Sequence, residues 1–215
     1  MTPYAVPMSA PMSGRRAQAA RNDERILEAA RAVFVADPGA PIAAVAQRAE
    51  VGISALYRRY ASKEELLQRL ALDGLRRYIA EAEAALADEG DPWDAFATFM
   101  RRSLDAGASS LSRRLAGTFT PTDELNEAGR HAFGLTQRLL DRTKAAGALR
   151  EEIEVGDLTL IFEALQALQV GEPGRAGTLR HRYLALLLDA LHAPADAPLP
   201  GPAPSWQEIS RRWEP

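Results

Sequence analysis

Apolar residues recur at three- and four-residue intervals through most of the chain, and no run of alternating or β-branched residues carries the two-residue period of a strand. The pattern predicts an all-α protein of about nine helices. The first is expected over 22–36, burying Ile26, Leu27, Ala30, Val33 and Phe34 and stopping at Asp37-Pro38-Gly39. Two short helices follow at 42–49 and 53–59, separated by Glu50-Val51-Gly52. Ser62 is placed to cap a long helix from Lys63 to about Asp88, with Glu65 completing a capping box. Its stripe is Leu66, Leu67, Leu70, Leu75, Ile79 and Leu86. Asp91-Pro92 sets a cap before a proline at the first helical position, opening a helix with Trp93, Phe96, Phe99, Met100 and Leu104. A short segment is expected at 109–116, then a helix at 123–146 ended by Gly147.

The last two expected helices, 157–170 and 176–192, are apolar nearly all round. A surface helix needs one apolar stripe, so a second face fits a partner subunit. Residues 1–20 read as an aperiodic N-terminal arm and 194–215 as a proline-containing tail, with domains at 21–67 and 68–193 between them. Within the tail, Trp206, Ile209 and Trp213 have helical spacing, and the segment either docks on the body or stays disordered.

Composition removes several chemistries. The chain has no Cys, so it holds no disulfide framework, thiolate site or cysteine nucleophile, which fits a reducing cytoplasm. His131, His181 and His192 include no pair at i, i+4, and no metal or cofactor is expected. No run of 18 apolar residues appears, so no membrane partner is expected. A net charge of −3 argues against a polyanion-binding protein taken whole. The charge is divided, however. Residues 1–80 contain 12 Lys and Arg against 8 Asp and Glu, a net +4, and residues 81–215 contain 14 against 21, a net −7. The positive part is the field that draws phosphates.

That part contains the informative stretch, IAAVAQRAEVGISALYRRYASKE at 42–64. Two short helices with a tight turn, packed beneath a first helix, form a helix-turn-helix. Val45, Ala46, Ala49, Val51 and Leu56 supply its core, and Gly52 can cap the second short helix. Ser54, Tyr57, Arg58, Arg59 and Tyr60, followed by Lys63, are left as a polar and aromatic face. Taken alone such a face is as often merely solvated. In this setting it can lie in a major groove, with hydroxyls, guanidinium forks and helix N-termini on phosphates.

The residues Arg25-Ile26-Leu27-Glu28-Ala29-Ala30, Val33-Phe34, Val45-Ala46, Val51-Gly52 and Leu56-Tyr57-Arg58-Arg59-Tyr60-Ala61-Ser62-Lys63-Glu64 resemble the TetR family of bacterial transcription regulators. The close match covers about residues 22–67. The resemblance implies an all-α homodimer whose N-terminal domains bind a palindromic double-stranded DNA operator, with a ligand pocket and dimer contacts in the C-terminal domain. It implies DNA contacts at Ile53, Ser54, Ala55, Tyr57 and Arg59, with Lys63 beyond. Two departures stand out: Ile42 where the family usually has Thr, and Glu50 where the turn usually has Gly. Arg15 and Arg16 either reach a minor groove, as a basic arm does in relatives, or belong to an incidental tail.

For an effector pocket the candidates are Phe96, Phe99, Met100, Phe119, Phe133 and Phe162, with Gln137 and Gln166 as polar fixing points. The expected ligand is a small hydrophobic molecule. Each of these aromatics is individually more often plain core. For the dimer interface the candidates are Leu158, Leu165, Leu168, Leu184, Leu187, Leu188 and Leu191, packing with their symmetry mates as a four-helix bundle. A twofold protein then meets half-sites about 34 Å apart. No GxGxxG, GKS/GKT, HExxH or GxSxG motif occurs, so an enzyme is not expected. A ligand-responsive repressor is the leading reading. An activator, or a regulator without a small ligand, is the alternative.

Overall fold

The computed structural model describes residues 12–107, 117–170, 172–194 and 197–211. The expected arm before residue 12, the segment at 109–116 and Trp213 lie outside the described residues. Nine helices occur among those described: α1 (Met12–Ala36), α2 (Ile42–Arg48), α3 (Ile53–Arg59), α4 (Lys63–Ala87), α5 (Pro92–Ala106), α6 (Asp123–Ala145), α7 (Val155–Gln166), α8 (Pro173–Leu191) and α9 (Trp206–Ser210). The chain divides into two compact units between Leu66 and Leu67.

Helix α1 starts at Met12, not at Asn22, so residues 12–20 are helical where an aperiodic arm was expected. Ala17, Gln18, Ala19 and Ala20 are good helix formers and carry the helix upstream without any apolar stripe. In the first unit, α1 packs on α2 and α2 on α3. Phe34, Val45, Leu56 and Ala30 are fully buried, with Ile26, Ile42 and Ala46 around them. Ser62 Oγ accepts from Glu65 N at 3.1 Å, and the Glu65 carboxylate accepts from Ala61 N at 2.7 Å. This arrangement starts α4 one residue off the usual capping box.

In the second unit, α5 packs on α6 and α8, and α7 on α6, α8 and α9. Phe96, Phe99 and Met100 of α5 meet Leu139 and Leu140 of α6, Leu158 and Phe162 of α7, and Leu184 and Leu188 of α8 in one cluster. Asp91 Oδ1 accepts from Asp94 N at 3.0 Å to open α5, and Gly107 in the left-handed conformation (φ 63°) ends it. Helix α7 begins at Val155, because Asp157 is not the cap but the third helical residue, its carboxylate accepting from Glu154 N at 2.9 Å. Helix α8 begins at Pro173, which suits the first helical position.

Arg142 joins the end of α4 to α6. Its guanidinium donates to the carbonyls of Ala85 at 3.0 Å, Leu86 at 3.3 Å and Asp88 at 2.5 Å, the acceptors that a helix end leaves orphaned. Charge-assisted bonds of this kind are worth about 1.5–3 kcal/mol. Arg142→Ala is therefore expected to lower Tm by about 4–8 °C, taking about 2 kcal/mol and 2–4 °C for each kcal/mol in a chain of this size. A calorimetric scan showing no change would remove this role.

Candidate nucleic-acid interface and effector cleft

In the first unit, α3 is a short rod held by one fully buried side chain, Leu56, with Gly52 at its N-cap. Tyr60 lies four residues after Leu56 and so shares its inward face; it is only 4% exposed. Helical periodicity thus removes Tyr60 from the expected outward set. The opposite side presents Ile53 (40% exposed), Tyr57 (48% exposed), Ser54 and Arg58, with Ala55 half-buried.

Two expected cations are engaged within the unit. Lys63 Nζ donates to the carbonyls of Pro38 at 3.0 Å and Ala40 at 2.8 Å, and sits 5.1 Å over the Phe34 ring. It closes the α1–α2 loop through these two bonds. Arg59 grips Asp23 of α1 with both arms of its fork: Nε donates to Oδ1 at 2.6 Å and Nη2 donates to Oδ2. The hydrogen bond to Asp23 also raises the Arg59 pKa above its ordinary value. Arg59 thereby links α3 to α1 while its side chain stays more than half exposed, and Arg58 is exposed beside it. Asp23 gave no signal in the sequence, because the pair spans 36 positions.

The turn before α3 explains Glu50. Val51 N donates to Ala46 O at 3.0 Å and Glu50 N to Gln47 O at 3.2 Å, the paired bonds of a Schellman ending in which Glu50 takes the left-handed position, φ 54°. Glycine is the residue that occupies this position without strain. Arg25 of α1 secures the same end, donating to Ala49 O at 2.8 Å and to the Glu50 carboxylate at 3.3 Å. Glu50→Gly exchanges left-handed strain of about 1–2 kcal/mol for glycine's greater unfolded-state freedom, about 0.4–1 kcal/mol, and an exposed ion pair worth little. The expected result is a Tm unchanged or raised by a few degrees, with tighter DNA binding at low salt because one negative charge beside α3 is gone. A fall in affinity at low salt would contradict it.

The second unit contains an open cleft of about 130 Å³ lined by α4, α6, α7 and α9. Tyr78, Phe133 and Phe162 form its aromatic walls, Thr136, Thr159 and Glu163 its polar points, and Trp206 of α9 its rim. Trp206 meets Phe133 edge to face, with ring centroids 5.1 Å apart. Burial pushes the Tyr78 hydroxyl up to about 12, so it stays protonated, and it bonds Thr136 Oγ1 at 2.9 Å. The tail carrying Trp206 docks on the body: Ile209 is 8% exposed, Arg150 Nη2 donates to Ala197 O at 2.6 Å, and Ser205 and Glu208 cap α9 reciprocally.

Of the residues expected to line a pocket, only Phe133 and Phe162 line this cleft. Phe96, Phe99 and Met100 are fully buried in the core cluster, and Phe119 is also buried. Gln137 Nε2 donates to Asp141 and Gln166 Nε2 to Leu104 O, both at 2.9 Å and both away from the cleft. Tyr78, Thr136, Glu163 and Trp206 were missed, since they lie on four separate segments. The leucines expected at a subunit interface are also largely internal. Leu158, Leu165, Leu184, Leu188 and Leu191 are buried in the protomer, and Leu168 and Leu187 pack against the same cluster. The outward apolar positions of α7 and α8 are Leu160 (41% exposed), Tyr183 (48%) and Leu186 (55%).

Residues 26–70 match the family model described as "Bacterial regulatory proteins, tetR family", and residues 91–193 match "Transcriptional regulator SbtR-like, C-terminal domain". A comparison with curated proteins finds no match. Among solved structures, the TetR transcriptional regulator SCO0520 of Streptomyces coelicolor is 25% identical with a TM-score of 0.58, covering 80% of this chain and 99% of that one. A TetR regulatory protein of Mycobacterium vanbaalenii is 28% identical with a TM-score of 0.57, covering 83% and 99%. The TetR-like regulator LfrR of Mycobacterium smegmatis, in complex with proflavine, is 20% identical with a TM-score of 0.57, covering 78% and 96%.

Proposed function

Since the chain belongs to the TetR family of bacterial transcriptional regulators, we propose that it is a repressor that binds a palindromic operator as a homodimer and releases it when a small hydrophobic effector binds. The observation that carries the DNA half is the outward side of α3, where Ile53, Ser54, Tyr57 and Arg58 stand on a helix anchored by Leu56. Short and flat side chains let such a helix approach base edges, while Arg58 and the Tyr57 hydroxyl reach bases or phosphates. The basic balance of residues 1–80 supplies the sequence-independent attraction.

The dimer half is supported by Leu160, Tyr183 and Leu186, large apolar groups on the exposed sides of α7 and α8. The effector half is supported by the aromatic cleft of the second unit and by the family neighbour solved with proflavine. Among the described residues no helix is long and apolar enough to cross a membrane. The reading is tested by gel shift against the DNA upstream of the chain's own gene. A retarded complex with the mass of two protomers is expected, weakening steeply with salt. No retarded species at low salt would end the reading.

A further inference from the structure

The first unit carries a concavity of its own, an open cleft of about 270 Å³ between α1 and α3. Ile26 of α1, Val51 of the turn and Ala55 of α3 form its apolar floor, with Ile26 buried and the other two half-buried. Asn22, Asp23, Arg58 and Arg59 stand around it. The charges there do not cancel. Arg59 and Asp23 neutralise each other through the two hydrogen bonds of the guanidinium fork. Arg58 is exposed and makes no hydrogen bond or ion pair among the described residues. The lining therefore carries one uncompensated positive charge above an aliphatic floor. A lone surface arginine is ordinarily just solvated, and single apolar side chains at a surface are normal. Here the two lie side by side in one concave site.

We propose that this cleft takes a small monoanionic aromatic acid, its carboxylate on Arg58 and its ring on Ile26, Val51 and Ala55, and that such an acid competes with DNA for α3. A guanidinium presents parallel N–H donors that match the two oxygens of a carboxylate. One unpaired positive charge calls for a guest of one negative charge. A phosphate dianion would leave excess negative charge beside Asp23, and a cation would meet Arg58 unpaired. A polyol would set its hydroxyls against three aliphatic side chains that offer them no hydrogen bond. The volume lies just below the 300–1,000 Å³ usual for ligand sites, which suits a small ring system. The cleft of the second unit shares none of these residues. Ala55 and Arg58 belong to α3, so an acid seated on them takes up the cation that would otherwise meet a phosphate. The ligand site stands on the geometry of the first unit alone, and only the competition with DNA rests on the operator reading.

The test uses the full chain with 2-naphthoate, and 2-naphthylmethanol as its neutral counterpart, at fixed ionic strength. Carbon-13 methyl spectra are expected to show saturable shifts at Ile26, Val51 and Ala55, with a naphthoate dissociation constant of about 1 mM or tighter. The alcohol is expected to bind about fivefold more weakly, the upper end for an exposed ion pair. Arg58→Gln is expected to remove that difference while the alcohol's affinity and Tm stay unchanged. Ala55→Leu fills the cleft and is expected to abolish the shifts of Ile26 and Val51 with both probes. At about ten times its dissociation constant, naphthoate is expected to weaken DNA binding by the wild type about tenfold or more. No saturable shift at these three residues, or equal affinity for acid and alcohol, overturns the proposal. So does a charge preference that survives Arg58→Gln, or binding undiminished by Ala55→Leu. Saturable shifts with DNA affinity unchanged overturn the competition. If naphthoate shifts the three residues and no DNA complex forms even without it, the site stands and the operator reading falls. If DNA binds and no shift occurs, the operator reading stands and the site falls.

Discussion

Leu186→Asp combined with Tyr183→Asp is expected to leave the protein folded but monomeric, and to weaken operator binding at least 100-fold. Both side chains lie on the outer side of α8, about half exposed in the protomer, so charge there meets water and the fold survives. In the proposed dimer the same charges would enter an apolar interface, where an unpaired carboxylate costs several kcal/mol. A monomer loses the second half-site, and with it the 10²–10⁴-fold gain that linking two binding modules provides. Sedimentation should show one protomer mass and the melting curve should shift little. A dimer persisting in the double variant would place the interface elsewhere. The inner side of α8 behaves differently: Leu188 is 3% exposed within the core cluster, and Leu188→Asp is expected to unfold this unit outright.

The second expectation concerns the two adjacent arginines of α3. Arg58→Ala should weaken operator binding about 100-fold and flatten its salt dependence, whereas Arg59→Ala should leave the salt slope unchanged. Arg58 stands outward at the end of the helix, and one lost contact of about 1.4 kcal/mol in each half-site is about tenfold, twice over. If the contact is to phosphate, the slope of log K against log salt falls by about 0.9 for each site, about 1.8 for the dimer. Arg59 is spent on Asp23, and removing it leaves an exposed carboxylate and a looser α1–α3 junction, an ion pair worth about 0.2–1 kcal/mol at most. Equal salt slopes in Arg58→Ala and wild type would show that Arg58 does not hold a phosphate.

The helices were largely legible because their evidence is local. Asp91 before Pro92, Ser62 three residues before Glu65, and Gly147 after an apolar run act within one turn, and the structure begins or ends its helices there or nearby. The pair Leu56 and Tyr60 shows where the reading stopped. Periodicity alone puts Tyr60 on the inner face, but its kinship with the neighbouring Tyr57 and two arginines suggested an outward role. Lys63 and Arg59 were legible as cations and not as engaged ones, because their partners at Pro38, Ala40 and Asp23 lie more than 20 positions away.

The sequence by itself determined that the chain is helical, that it carries a helix-turn-helix near its start, and that its net charge is positive over the first 80 residues and negative over the rest. Each of these depends on composition or on spacing of a few residues, which are properties of the chain before it folds. Tertiary structure alone decided which apolar residues became core and which face became surface. The α7 and α8 leucines had two candidate faces, and packing against Phe96, Phe99 and Leu139 took the one with Leu158, Leu184 and Leu188, leaving Leu160, Tyr183 and Leu186 outside. The cleft likewise exists only where α4, α6, α7 and the tail meet, since a concave site is made by distant segments brought together and no local pattern encodes it.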